Sequence, residues 1–208
     1  MRYVNHFLNL SCSGDVLNAC NPINEPAKEI SESMGIIRVM KPIILADRNK
    51  PWIVVDLCAG NALTSVLAVH LFPRVKGLAI DWKPRTRHYE HVKRFYYAPK
   101  NIFDESFMDL VCTPNDVYEY IFISVHPCKY LARRVVELYN ASPDAKHLIL
   151  MPCCEGMVSS DKKYPTILKE KLGGYLLWSY YLSELCGGTF IQDNNILSPC
   201  NGIVVAHK

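Results

Sequence analysis

No apolar run in this sequence approaches the length of a bilayer span, so no membrane-crossing helix is expected. Internal repeats and low-complexity tracts are missing too, which sets aside repeat architectures and disordered tails. Neither sign of charge dominates: 23 Lys and Arg stand against 20 Asp and Glu, and the formal net charge of +3 permits an anionic partner without requiring one. Nine cysteines are present, but no two have C-x-x-C spacing, which removes the usual zinc-finger signatures. An odd number scattered through apolar runs reads as reduced thiols. The opening MRYVNHFLNL is broken by Asn5, His6 and Asn9 and makes a poor secretory segment, so a cytoplasmic location is expected.

What the chain does contain is apolar residue enough, 50% of 208, to bury one domain and too little length for two substantial ones. It is organised around Pro51 to Asp81. Ile53, Val54 and Val55 form a β-branched run ending in an acid, Asp56. Leu57-Cys58-Ala59-Gly60-Asn61 then turns the chain into Ala62 to Phe72, whose apolar spacing predicts a helix closed by Pro73. Val75 to Ile80 form a second apolar run, again ending in an acid, Asp81. Strand, turn, helix, strand and acid make a parallel crossover with a ligand mouth at the strand ends. Gly60 admits close backbone approach there, and the free amides at the helix start attract polar ligand groups. Asp81 stands where an acid can accept both hydroxyls of a ribose. The dinucleotide fingerprint G-x-G-x-x-G is reduced to one glycine in Ala59-Gly60-Asn61-Ala62-Leu63, so a pyrophosphate is poorly served and a nicotinamide enzyme is disfavoured. An adenosine carrying a sulfonium amino acid has no phosphate, needs less glycine, and gains from Asp56 near its ammonium group.

These residues resemble motif I and the motif II acid of the class I S-adenosylmethionine-dependent methyltransferases. The resemblance implies an α/β fold, a Rossmann-like doubly wound sheet of seven strands, mostly parallel with an antiparallel closing edge and helices on both faces. It implies S-adenosyl-L-methionine as cofactor, with Asp56, Cys58, Ala59, Gly60, Asn61, Asp81, Trp82, Asn101, Ile102 and Ser124 as the residues around it. Such a domain would occupy residues 51–208, preceded by an N-terminal segment, 1–50, that packs one helix on the core. That helix starts at Asn24-Glu25-Pro26, presents Ile30, Met34 and Ile37, loses its pattern at Pro42, and lies against the sheet edge or over the mouth.

Beyond Asp81 the chain is basic and aromatic, from Trp82-Lys83-Pro84-Arg85-Thr86-Arg87 to Lys93 and Arg94. Trp82 is placed either to stack on an adenine or to serve as a core or rim residue. The basic residues read as a solvated helix face, or as a track for a phosphate backbone with aromatics stacking bases. Phe95 to Tyr97 form the next strand. After it, Asn101-Ile102 stands where the resembled enzymes carry an acid against the adenine amino group, a role open to Asn101 or to Asp104. Phe107 to Val117 read as a short helix and a turn at Pro114-Asn115.

A second constellation follows. Ile121 to Val125 form a buried strand ending at His126-Pro127-Cys128, and His147 to Met151 form another ending at Pro152-Cys153-Cys154. Both strands carry unusual polar residues at the carboxyl end, so the two motifs line one wall of the crevice. They resemble the H-x-C and P-C-C motifs of a methyltransferase-like family that includes tRNA ribose 2′-O-methyltransferases, and the resemblance implies an RNA acceptor. A protein or small-molecule acceptor, or a non-catalytic docking module, is the alternative. Lys129 stands where that family carries glycine, and the second motif I glycine is Ala62 or absent. His126 is the natural base or orienting residue, because histidine titrates near working pH. Cys128 and Cys153, with Cys154, are either small packing residues or nucleophilic thiols. No metal is expected: adjacent cysteines rarely both reach one tetrahedral ion. Asp161-Lys162-Lys163-Tyr164-Pro165 reads as a polar insertion beside the crevice, able to act as a lid. Tyr175 to Leu185 form a helix with an apolar stripe, ahead of closing strands at Thr189 to Gln192 and Gly202 to Ala206.

Overall fold

Each apolar run that ends in a polar residue becomes a strand of one sheet. The structure, a computed structural model, describes residues 1–114, 117–156 and 170–208. The Asp161 to Pro165 insertion and its proposed role as a lid lie outside the described residues, as does Asn115 of the expected turn. Three helices come first: α1 (Arg2–Leu8), α2 (Ser13–Cys20) and α3 (Pro26–Ala46). The chain then alternates through β1 (Trp52–Leu57), α4 (Leu63–Leu71), β2 (Lys76–Asp81), a 3-10 turn at Tyr89–His91, β3 (Phe95–Pro99), α5 (Glu105–Cys112), β4 (Glu119–Val125), α6 (Tyr130–Ala141) and β5 (Ala145–Met151). It closes with α7 (Gly174–Leu185), β6 (Thr189–Gln192) and β7 (Gly202–His207).

The strands lie in the order β3-β2-β1-β4-β5-β7-β6. β1 to β5 are mutually parallel, and β7 pairs antiparallel with both β5 and β6. Strand order reverses between β1 and β4, which opens a crevice at their carboxyl ends. The register sets Asp56 beside Ile123 and Val125 beside Met151, so Asp56, Asp81, His126 and Cys153 all come to that one end.

Both faces of the sheet are covered, which is why its central strands read as unbroken apolar runs. Val54, Ile121, Ile123 and Ile149 pack under the N-terminal helices and α4. Val55, Leu57, Phe122, Leu148 and Leu150 point the other way, into a core with α5, α6 and α7.

Three expectations are corrected. The N-terminal segment contributes three helices rather than one: α1 and α2 bury Phe7, Val16 and Cys20, and helices of 7 and 8 residues are too short for an apolar period to show in sequence. Pro42 does not end α3, because Met40 and Ile44 on either side are both buried and hold the helix to Ala46. The basic segment between β2 and β3 is a bound loop, not a helix face. Tyr89 stacks on Tyr97 with ring centroids 5.2 Å apart and donates its hydroxyl to the Asn61 carbonyl at 2.8 Å. Arg94 donates to the carbonyls of Val69, Phe72 and Val75 at the end of α4. Tyr89 thus ties the loop to the mouth, and Arg94 anchors its far end at the opposite end of the sheet.

Candidate active site

The crevice is a cavity of about 300 Å³ whose wall includes Asp56, Gly60 and Asn61 from the β1 turn, Glu32 from α3, and Arg85 and His126. Its shape begins with backbone strain. Cys58, Ala62, His126 and Lys129 all adopt positive φ without being glycine, two at the end of β1 and two at the end of β4. Backbone held this way clusters at functional sites, where the surrounding structure over-determines it. Gly60, at φ +55, faces open space where a Cβ would be added.

The β1 turn is held by side chains from three directions. Asp81 accepts the Gly60 amide at 2.9 Å through one carboxylate oxygen and the Lys83 amide at 3.0 Å through the other. Asn61 accepts the Leu63 amide at 3.1 Å at the start of α4, and donates from its amide nitrogen to Glu29. Asp56 is buried at 2% exposure and accepts the Ser65 hydroxyl at 2.8 Å. Burial, with no cation against it among the described residues, pushes the Asp56 carboxyl up to about 7.

His126 is oriented by α3. Its Nε2 lies 2.6 Å from Oε1 of Glu32, whose side chain is 2% exposed, while Nδ1 is shut from water without a partner. With Nε2–H donating to the Glu32 carboxylate, Nδ1 is left as an acceptor. Glu29, Glu32, Arg85 and Arg87 are cavity residues that sequence reasoning missed as site residues. The signal for the first two was present: they are two acids three residues apart on the apolar helix α3, hence on one of its faces.

The remaining expected residues divide. Cys58, Ala59, Gly60 and Asn61 line the cavity. Trp82 stands beside Asp81 at the tip of β2, 68% exposed, with Lys83 Nζ 4.9 Å from its ring. Asn101 is exposed and accepts the Phe103 amide at 3.1 Å, whereas Ile102 is buried in the α5–α7 core. Ser124 is buried and donates its hydroxyl to the Leu57 carbonyl at 2.5 Å, tying β4 to β1. Cys128 and Cys153 come together, Sγ to Sγ, at 3.1 Å, and Cys154 lies 3.0 Å from Cys153. Burial raises the thiols of Cys128 and Cys153, which disfavours the free thiolate a covalent mechanism needs.

An adenosyl sulfonium amino acid fits these residues: open space at Gly60, a buried carboxyl without a counter-ion at Asp56, and an acid at the β2 tip. Sheet order and site together define a class I methyltransferase fold, the fold that uses S-adenosylmethionine as methyl donor. Residues 26–161, more than half of the chain, match the family described as a methyltransferase domain, and the chain belongs to that family. The matched span takes in α3 with Glu29 and Glu32. No curated protein sequence matches the chain. Among solved structures, a proposed caffeoyl-CoA O-methyltransferase from Staphylococcus aureus is similar at a TM-score of 0.54 and 14% identity, covering 99% of this chain and 95% of that one. The magnesium protoporphyrin IX methyltransferase of Synechocystis PCC 6803, solved with bound SAH, is similar at 0.51 and 12%, covering 99% and 98%. At these identities the likeness is one of fold. No helix among the described residues is long and apolar enough to cross a membrane.

Proposed function

We propose that the chain is an S-adenosylmethionine-dependent methyltransferase that methylates a hydroxyl of RNA, with tRNA the first candidate. The observation that carries this reading is the Glu32–His126 pair, a carboxylate and an imidazole held together in the wall of the crevice. The cofactor, when bound, supplies an electrophilic methyl group on a sulfonium. Asp81 and the Gly60 turn would hold its ribose, and Asp56 its ammonium group. A ribose hydroxyl is a weak nucleophile until its proton is taken; the His126 imidazole takes it, and the Glu32 carboxylate stabilises the imidazolium that forms. Much of the acceleration then comes from holding hydroxyl and methyl in line.

The β2–β3 loop supports RNA as the acceptor. Arg85 and Arg87 stand on the cavity wall, and Trp82 and Tyr96 beside them are 68% and 67% exposed, the pairing of cations and open aromatic faces that single-stranded nucleic acid binds. The H-x-C and P-C-C motifs at His126-Pro127-Cys128 and Pro152-Cys153-Cys154 add the likeness to tRNA ribose methyltransferases. Nine free cysteines suit a cytoplasmic location.

The test is calorimetric titration with S-adenosylmethionine and its demethylated product, beside an Asp81→Ala control. Micromolar binding, about 8 kcal/mol, lost in the control, is the expected result. Labelled methyl transfer to total RNA, absent in His126→Ala, follows. Absence of binding to either ligand would remove the reading.

A further inference from the structure

We propose that Cys128, Cys153 and Cys154 form a zinc site at the rim of the crevice, against the sequence expectation of no metal. The three sulfur atoms all lie within 4.8 Å of one another, two pairs of them at 3.1 and 3.0 Å. Adjacent cysteines on a strand would point to opposite faces. Here β5 has ended at Met151, the chain bends at Cys154, and both sulfurs turn to the same point. Cys128 reaches that point from the neighbouring strand end, because the His126 amide donates to the Met151 carbonyl at 2.8 Å and fixes the two motifs side by side. Cys128 is exposed and the other two are half-buried, so this is not a set of thiols sealed in a core.

Three thiolates select a thiophilic d10 ion, and Zn–S bonds of about 2.3 Å place tetrahedral ligands about 3.8 Å apart, an expansion of about 0.7–0.8 Å for each close pair. Three protein ligands with an open fourth position is the arrangement of reactive rather than purely structural zinc. Binding exchanges three S–H protons for three Zn–S bonds and releases the protons to solvent, with no change of oxidation state. The site joins the ends of β4 and β5, with Cys128 two residues beyond His126. Nothing in this inference depends on the methyltransferase reading.

The test uses the full chain, reduced and stripped of metal, titrated anaerobically with Co²⁺ and then Zn²⁺. One equivalent of Co²⁺ should bind with a thiolate-to-metal charge-transfer band and be displaced by Zn²⁺. Cys128→Ser and Cys153→Ser should each weaken Zn²⁺ binding by more than about tenfold. Cys128 is exposed, so its variant keeps the fold, and circular dichroism checks both. Failure of the reduced protein to take up either ion overturns the proposal, as does a full-strength band in both variants. Uptake of Cu⁺ alone overturns the choice of zinc.

Discussion

Glu32 and His126 come from elements 94 residues apart, and their side chains meet at 2.6 Å in the floor of the crevice. A buried carboxylate at that distance fixes the imidazole ring and its tautomer and waits for the charge the ring acquires on taking a proton. Glu32 is a positioning residue, acting through His126. Glu32→Gln keeps a hydrogen-bond acceptor but removes the charge, and methyl transfer at saturating cofactor should fall by roughly tenfold to a hundredfold. His126→Ala should cost more, and the double variant no more than His126→Ala alone, because residues acting as a unit are not additive. Cofactor affinity should be unchanged in all three. Additive losses in transfer rate would separate the two residues.

Asp56 ties stability to pH. Its carboxyl is raised from 3.8 to about 7 by burial, so between these values the folded chain holds a proton that the unfolded chain has released. Stability from this group is complete below about pH 4 and is lost as pH rises to about 7, levelling beyond. At about 1.4 kcal/mol per pH unit, Asp56→Asn should gain roughly 2.5–3 kcal/mol on the wild type between pH 5 and pH 8. Urea unfolding of both proteins across that range measures it. A difference that stays constant with pH would mean the carboxyl is compensated in the fold. An ammonium group beside Asp56 would stabilise its ionised form, so cofactor binding near pH 7 should release protons, visible in calorimetry with buffers of different ionisation enthalpy.

Lys129 occupies a glycine position. The Cys128 carbonyl accepts the Leu131 amide at 2.9 Å, and Lys129 sits at φ 47, ψ −114, the first central place of a type II′ turn. A side chain there costs about 1–3 kcal/mol. The H-x-C resemblance already expected glycine at this position. Lys129→Gly should therefore stabilise the chain by about 1 kcal/mol or more in chemical denaturation, with the site geometry kept. An unchanged or lowered midpoint would show that the lysine is compensated by contacts of its own.

Most of the sheet was legible because each strand pairs an apolar run with a polar end. β1 and β2 end in Asp56 and Asp81, and β4 and β5 lead into His126 and Pro152-Cys153. The site was legible only where its residues lie on those ends. Glu32 reaches His126 through packing of α3 over the sheet, a long-range contact with no local period to announce it. The β2–β3 segment misled because a basic run has the same composition on a solvated helix as in a loop tied down by Tyr89 and Arg94. Ser124 and Ile102, expected near a ligand, are taken by the fold: one bonds Leu57, the other fills the second core.

Arg85 and Arg87 give the acceptor its sharpest test. Both guanidinium groups stand on the cavity wall, and the Nε atom of each is buried without a hydrogen-bond partner. A buried donor left unmet costs about 1–3 kcal/mol, which an anionic ligand would recover. Two ligands offer the anion, the carboxylate of the cofactor and the phosphates of RNA, and ionic strength separates them. Each phosphate contact to single-stranded nucleic acid contributes about 0.7 to the slope of log affinity against log salt. If the pair grips RNA, Arg85→Ala and Arg87→Ala should each weaken tRNA binding and lower that slope by about 0.7, with cofactor affinity held. If affinity for S-adenosylmethionine falls in both variants while the slope for tRNA stays at its wild-type value, the arginines serve the cofactor and the RNA contact must lie with the exposed Trp82 and Lys83 side chains.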